Sequence, residues 1–283
     1  MTPGLGVWLY AVTSSRDGVA DLNELTGVAG EPVRTVVSDD LTAVVGSVPL
    51  EVFGEQPLRG HLEDLDWLAA TARTHDAVVS TVVRRGPALP LRLATVFSDD
   101  DRVRELLDER RAEFGAALAL VSGRTEWGVK AYGDRAALTA AVAEARAANE
   151  GGDRAALTAA VAEARAANEG GATGAGTAYL ARRRAQLSAQ ETVERDAAAR
   201  AAEIHTRLVR HAAAGRLQAL TDPALSGRRD WMVLNGTYLV DDDRIDDFTA
   251  TVTMLGSEFP GIRLELTGPW PPYSFAGVER EPA

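Results

Sequence analysis

Residues 231–270 read WMVLNGTYLVDDDRIDDFTATVTMLGSEFPGIRLELTGPW, and three patterns succeed one another within them. Met232 to Val240 has the apolar and aromatic density of a strand. Asp242 to Glu258 has Ile245, Phe248, Val252 and Leu255 at helical spacing, which predicts an amphipathic helix. Ile262 to Thr267 returns to strand character. Upstream, Trp127 to Ala131 predicts another short strand, and a long alanine-rich stretch lies between. Strand, helix and strand around a helical insertion suggest a modified ferredoxin-like domain, a small antiparallel sheet with helices on one face. The expected fold class is α+β with two domains, residues 1–122 and 123–283, and a helical arm at 133–214.

The arm contains a perfect duplication. GDRAALTAAVAEARAANEG occupies 133–151 and recurs unchanged at 152–170. Its Ala, Leu, Glu and Arg favour helix, whereas Gly151-Gly152 is a poor helix interior. A 19-residue period rotates the apolar face by roughly 100° per copy, so the copies should not share one straight stripe. Two short helices or a bent helix are expected, and the repeat reads as tolerated surface helix. After a glycine-rich break at Gly170 to Gly176, Thr177 to Ala214 predicts a helix of roughly 55 Å. Leu180, Leu187, Val193, Ala197, Ala201, Ile204 and Leu208 form its stripe. It should pack back on the duplicated region as a hairpin, weakly stabilised because alanine buries little apolar area.

The first half reads as strands and helices in alternation. Gly6 to Thr13 predicts a buried strand, and Val33 to Val48 two strands joined by a turn at Ser38-Asp39-Asp40. Residues 59–84 predict one helix with Leu62, Leu65, Ala69, Ala72, Val79 and Val83 on its apolar face. Leu89 to Phe97 predicts a strand. Ser98, with Asp101 three positions on, reads as the cap of a helix running to Val121 and stopping near Gly123.

Composition narrows the function classes. The 283 residues are 46% hydrophobic, enough for a substantial core, and no run reaches the length of a bilayer span. No secretory signal is visible at the start. The chain has no cysteine, which excludes disulfides and thiolate metal sites. A formal charge of −11 argues against a broad nucleic-acid footprint. Lys130 is the only lysine, a pattern of the arginine- and alanine-rich coding of a GC-rich genome.

Candidate chemistry is sparse. His61 and His75 fall in one predicted helix, too far apart to ligate one metal, and His205 and His211 make a poor direct pair. They read as surface or partly packed side chains, so no metal or cofactor is expected. Asp99-Asp100-Asp101 and Asp241-Asp242-Asp243 both follow predicted strands without a calcium-loop spacing, and stabilisation of helix starts explains them. No phosphate loop, zinc-protease helix or hydrolase elbow is present. The expectation is a protein that is not an enzyme.

Several stretches carry a family resemblance. Leu5-Gly6-Val7-Trp8-Leu9-Tyr10-Ala11-Val12 resembles the opening strand of the gas vesicle synthesis proteins of the F and L type. Leu89-Pro90-Leu91-Arg92-Leu93-Ala94-Thr95-Val96-Phe97 resembles their central motif, with Leu93-Ala94 where members commonly have phenylalanine-glycine. Glu126-Trp127-Gly128-Val129-Lys130 and Leu234-Asn235-Gly236-Thr237-Tyr238-Leu239-Val240 resemble two later segments. Leu264 to Phe275, with its Gly268-Pro269-Trp270-Pro271-Pro272-Tyr273 core, is the densest match. The resemblance implies an accessory role in building gas-filled buoyancy compartments, located at the gas vesicle and in the cytoplasm. It implies contact with the small hydrophobic shell protein of the GvpA type and possible contact with other accessory proteins. No cofactor, nucleic acid or lipid membrane is implied. Trp270, Tyr273, Phe275 and Arg92 are the candidate partner-binding residues. The terminal segment admits two readings: prolines stiffen it and expose aromatics to a partner, or Trp270, Tyr273 and Phe275 fold back to seal the core.

Overall fold

The computed structural model describes residues 4–15, 22–150, 174–220 and 231–277. The chain forms two compact units, one from residues 1–127, 237–245 and 267–283 and the other from 128–236 and 246–266. Where the sequence suggests a single cut near residue 122, the units interleave, because three strands each contribute residues to both. The fold is mixed, with helical and sheet regions in both halves.

The N-terminal unit is organised by β1 (Leu5–Ser14), whose residues Val7 to Val12 are all buried. An unbroken apolar run of this kind suits a strand covered on both faces. β2 (Val33–Ser38) and β3 (Leu41–Pro49) form a hairpin, and its turn residue Asp39 has φ 48°, a left-handed conformation that aspartate tolerates. Next come the helices α1 (Leu50–Phe53), α2 (Glu55–His61) and α3 (Leu65–Arg85), then the short strands β4 (Ala88–Pro90) and β5 (Val96–Phe97). The sheet order is β2-β3-β1-β4, with β5 also paired to β1. Trp8, Tyr10, Val44, Val48, Phe53, Val78, Val79 and Val82 form the core beside it.

Three sequence expectations change here. The single helix over 59–84 is two helices. Asp64 starts the second, its Oδ1 accepting from the amides of Asp66 at 3.0 Å and Trp67 at 3.2 Å. The buried face is Thr71, His75, Val78, Val79 and Val82, while Leu62 and Leu65 are exposed. The strand over Leu89 to Phe97 is interrupted by a turn at Leu93-Ala94. The helix after Ser98 is capped by Asp99, which accepts from the Arg102 amide at 2.9 Å, and it divides at Arg110 into α4 (Asp100–Glu109) and α5 (Arg111–Val121).

The remaining elements are β6 (Arg124–Gly133), α6 (Arg135–Glu150), α7 (Gly174–Val209), β7 (Ala214–Leu217), β8 (Trp231–Asp241), α8 (Ile245–Glu258) and β9 (Ile262–Trp270). Their strands have the order β7-β8-β6-β9. The arm is α6 and α7, and the repeat copy at 152–170 lies outside the described residues. α7 starts earlier and ends sooner than the pattern predicts; Ala214 opens β7 instead. Its stripe is buried only in the C-terminal half, at Val193, Ala197, Ala201, Ile204 and Leu208. Leu180 and Leu187 are exposed.

Candidate partner-contact site

The terminal aromatic segment is held by a buried carboxylate. Glu126, on β6 and only 5% exposed, accepts from the Ser274 amide at 2.8 Å and from the Ser274 hydroxyl at 2.7 Å. Gly268 reaches φ 127° and lies so close to Glu126 and Trp127 that an added Cβ would meet the Glu126 carbonyl at 3.1 Å. Only glycine takes both the angle and the approach freely. A 3-10 turn follows at Tyr273–Phe275, packed against α5 and β4, and Arg110 donates to the Gly277 carbonyl at 3.0 Å.

This clasp treats its aromatics differently. Phe275 is 2% exposed and belongs to the interior, not to a contact surface. Pro271 and Pro272 are buried as well. Trp270 is 50% exposed and Tyr273 38%, with the Tyr273 hydroxyl 3.5 Å from an Asp76 carboxylate oxygen. The two readings of the segment therefore apply to different residues within it.

Arg92 stands on a separate element, the turn between β4 and β5, and is exposed. The Leu91 amide donates to the Tyr10 carbonyl and the Leu9 amide to the Thr95 carbonyl, which anchors both ends of the turn to β1. Inside it the Thr95 hydroxyl donates to the Arg92 carbonyl at 2.8 Å, and Ala94 has φ 68°. Beneath, the Trp8 indole donates to His75 Nδ1 at 3.0 Å. An indole N–H can only donate, so the neutral imidazole carries its proton on Nε2 and gives it to the Leu91 carbonyl at 3.1 Å. Burial pushes the His75 pKa below its ordinary value, against the opposing pull of that carbonyl and of Asp76. His75, 3% exposed, is a core residue rather than a surface one.

The acidic clusters do more than start helices. Asp100 accepts from the two terminal guanidinium nitrogens of Arg34, at 2.9 and 2.7 Å. Asp241 accepts from Arg124 at 2.7 Å and Asp242 from the Thr125 hydroxyl at 2.6 Å, which ties the end of β8 to β6. His61 stacks on Trp67, with ring centroids 4.9 Å apart. Among the described residues no group of three or more His, Cys, Asp or Glu could hold a metal ion. No helix among them is long and apolar enough to cross a membrane.

The other unit has a cleft of about 570 Å³ that sequence reading does not anticipate. The Arg135 guanidinium lies 4.2 Å from the Trp231 ring and the Arg263 guanidinium 4.6 Å from the Tyr132 ring. These four residues come from three strands and a helix start, so no local motif joins them. Glu126 is likewise missed, because a lone glutamate in a strand pattern gives no sign of its partner 148 positions away.

Residues 6–277 match the family described as gas vesicle synthesis protein GvpL/GvpF. The chain belongs to this family. It is 43% identical over 277 residues to gas vesicle protein L of Streptomyces sp. (strain CB03234), covering 97% of this chain and 94% of that protein. It is 26% identical over 274 residues to gas vesicle protein F of the same strain, covering 96% and 99%. The crystal structure of GvpF from Anabaena sp. PCC7120 shares the fold, with TM-score 0.63 at 16% identity over 99% of both chains. GvpF from Microcystis aeruginosa gives 0.62 at 20% identity, over 96% of this chain and 98% of that one. At the family level this GvpL/GvpF member is an accessory protein of gas vesicle synthesis.

Proposed function

We propose that this GvpL/GvpF member assists vesicle assembly by binding the small hydrophobic shell protein of the GvpA type, without catalysing a reaction. The observation that carries the proposal is the split clasp. Trp270 and Tyr273 stay outside on a segment whose neighbours are buried and fixed by Glu126. Exposed aromatics on a rigid support are the usual anchors of protein interfaces, because they bring contact area at little entropic cost. Arg92 provides a second exposed position on the anchored turn beside β1. The site holds no cofactor in this reading, and the protein works in the cytoplasm and at the vesicle.

The order β7-β8-β6-β9, with helices between β6 and β7 and between β8 and β9, supports reading these elements as a ferredoxin-like fold carrying the arm as an insertion. A second reading, a scaffold that links accessory proteins through that arm, is favoured by exposed Leu180 and Leu187 on α7. Photo-crosslinking decides between them. A photoreactive residue at position 270 should capture the shell protein, and one at 180 should not. Capture of other accessory proteins from position 180 alone would transfer the contact to the arm. Absence of shell-protein adducts from 92, 270 and 273 would reject the proposal.

A further inference from the structure

Two cations line the cleft in the unit formed by 128–236 and 246–266. Its volume of about 570 Å³ is that of an ordinary ligand pocket. Each cation is seated on a ring. Arg135, at the start of α6, lies 4.2 Å from the Trp231 ring centroid, and Arg263, on β9, lies 4.6 Å from that of Tyr132. Both seats are fixed. Tyr132 is 6% exposed, and a Cβ on Gly133 would meet the Trp231 ring at 3.0 Å, so that ring packs against the end of β6. Yet the side chains of Arg135 and Arg263 remain 55% and 56% exposed. Glu194 stands 3.3 Å from Arg135 and Glu265 3.7 Å from Arg263, whereas Arg34 and Arg124 hold their aspartates at 2.7–2.9 Å. Asp134, which also lines the cleft, is engaged in capping α6, where it accepts from the amides of Ala136 at 2.8 Å and Ala137 at 3.1 Å.

We propose that this cleft docks an acidic segment of a partner protein, with one carboxylate on Arg135 and another on Arg263. A guanidinium stacked on a ring holds its edge donors in a set plane. It can therefore take a carboxylate through two parallel N–H bonds with little further ordering. Glu194 is a placeholder in this scheme: it is exposed and returns to water when a shorter pair with the incoming carboxylate replaces the long one. The sign of the site selects the partner, since a basic segment would be repelled and an uncharged one would gain nothing from the guanidinium edges. A nucleic acid or an anionic membrane would also meet the two cations. A polyanion, however, brings many further charges against a chain of formal charge −11. A short segment with two carboxylates brings only the charges that the cleft can hold. This contact is separate from the shell-protein contact proposed above, because Trp270 and Tyr273 belong to the other compact unit. Either contact can fail without the other.

The test uses the full chain and a dye-labelled peptide of alternating glutamate and alanine, with its glutamine counterpart as control. Fluorescence anisotropy should show binding of the glutamate peptide and not of the glutamine one, and the binding should weaken as salt rises. Arg135→Gln and Arg263→Gln should each weaken it about five-fold, with the urea midpoint unchanged. Arg135→Lys keeps the charge but loses the planar fork, and Trp231→Leu keeps Arg135 but removes its seat. Both should also weaken binding, which attraction to a bare charge would not require. The double variant Arg135→Glu/Arg263→Glu should prefer a peptide of alternating lysine and alanine. Failure to bind the glutamate peptide, equal binding of the glutamine peptide, or full affinity in the Arg135→Gln/Arg263→Gln chain would each overturn the proposal. Tighter binding of a single-stranded RNA or of phosphatidylserine vesicles, lost in the same double variant, would also overturn it by assigning the cleft to a polyanion.

Discussion

Replacing Glu126 tests whether the terminal segment is a clasp. Its carboxylate is 5% exposed and satisfies two donors of one residue, the Ser274 amide at 2.8 Å and hydroxyl at 2.7 Å. Hydrogen bonds to an ionised acceptor contribute about 1.5–3 kcal/mol each. Ser274 is only half-buried, so water recovers part of that loss, and Glu126→Ala should cost about 3 kcal/mol. Glu126→Gln keeps the shape but presents one carbonyl and one amide to two donors, a loss of about 1.5 kcal/mol. Ser274→Ala leaves the backbone bond and should cost about 1 kcal/mol. Both substitutions remove the bond between the Ser274 hydroxyl and Glu126, so the double variant should cost less than the sum of the two single variants, by a coupling of about 1 kcal/mol. Urea unfolding gives the totals, and hydrogen exchange at the Ser274 and Phe275 amides localises the effect. Additive losses, or a Glu126→Ala cost below about 0.5 kcal/mol, would refute the clasp.

Ala94 should gain from becoming glycine. A left-handed alanine costs about 1–2 kcal/mol, glycine returns about 0.4–1 kcal/mol of that through the freer unfolded chain, and a net stabilisation of about 0.5 kcal/mol should appear as a higher urea midpoint; a lower midpoint would contradict it. His75 predicts acid sensitivity. Its folded pKa is depressed by burial, so the unfolded chain binds the proton first as pH falls. The stability contribution is complete above about pH 6.5 and is lost as pH drops toward the folded value, by at most about 1.4 kcal/mol per pH unit. The slope between pH 6.5 and 5 should flatten in His75→Gln, and equal slopes would remove His75 as the cause. Asp64→Ala should lower stability by about 1 kcal/mol through the lost α3 cap, with fraying of the first turn in hydrogen exchange; unchanged protection at Asp66 and Trp67 would show that the cap carries nothing.

The most legible parts of the fold were those where one pattern dominates. The buried run of β1, the hairpin at Asp39-Asp40 and the strand-helix-strand of β8, α8 and β9 are all visible in hydrophobic periodicity. The failures lie where a cap competes with that periodicity. Leu62 and Leu65 fit a helical stripe, yet Asp64 between them stops one helix and starts the next, leaving both leucines exposed. The strand at Leu89 to Phe97 breaks for a similar local reason, since Ala94 turns left-handed and gives no composition signal. Leu180 and Leu187 continue the α7 stripe on paper, but burial requires a neighbour, and periodicity does not report where the neighbour ends. Glu126 and the Arg135–Trp231 pair join residues distant in sequence, and no window contains both halves.

Ala94 also shows how a departure from the family pattern acquires physical meaning. The resembled motif has glycine where this chain has Ala94, and the turn gives that difference a physical cost: the backbone here occupies the conformation that glycine enters without a Cβ penalty. The same logic separates the residues of the terminal segment. Gly268, Pro271, Pro272 and Phe275 answer to the approach of β6 and the interior, so substitutions there should act on stability first and on partner binding only through it. Trp270 and Tyr273 are only partly held by those constraints, and their replacement by leucine, which keeps much of the packed apolar area, should lower stability by no more than about 1 kcal/mol. Weaker capture of the shell protein by those two variants, while they remain folded, would assign the exposed aromatics to contact. Loss of capture only in variants that also unfold would assign the whole segment to the fold.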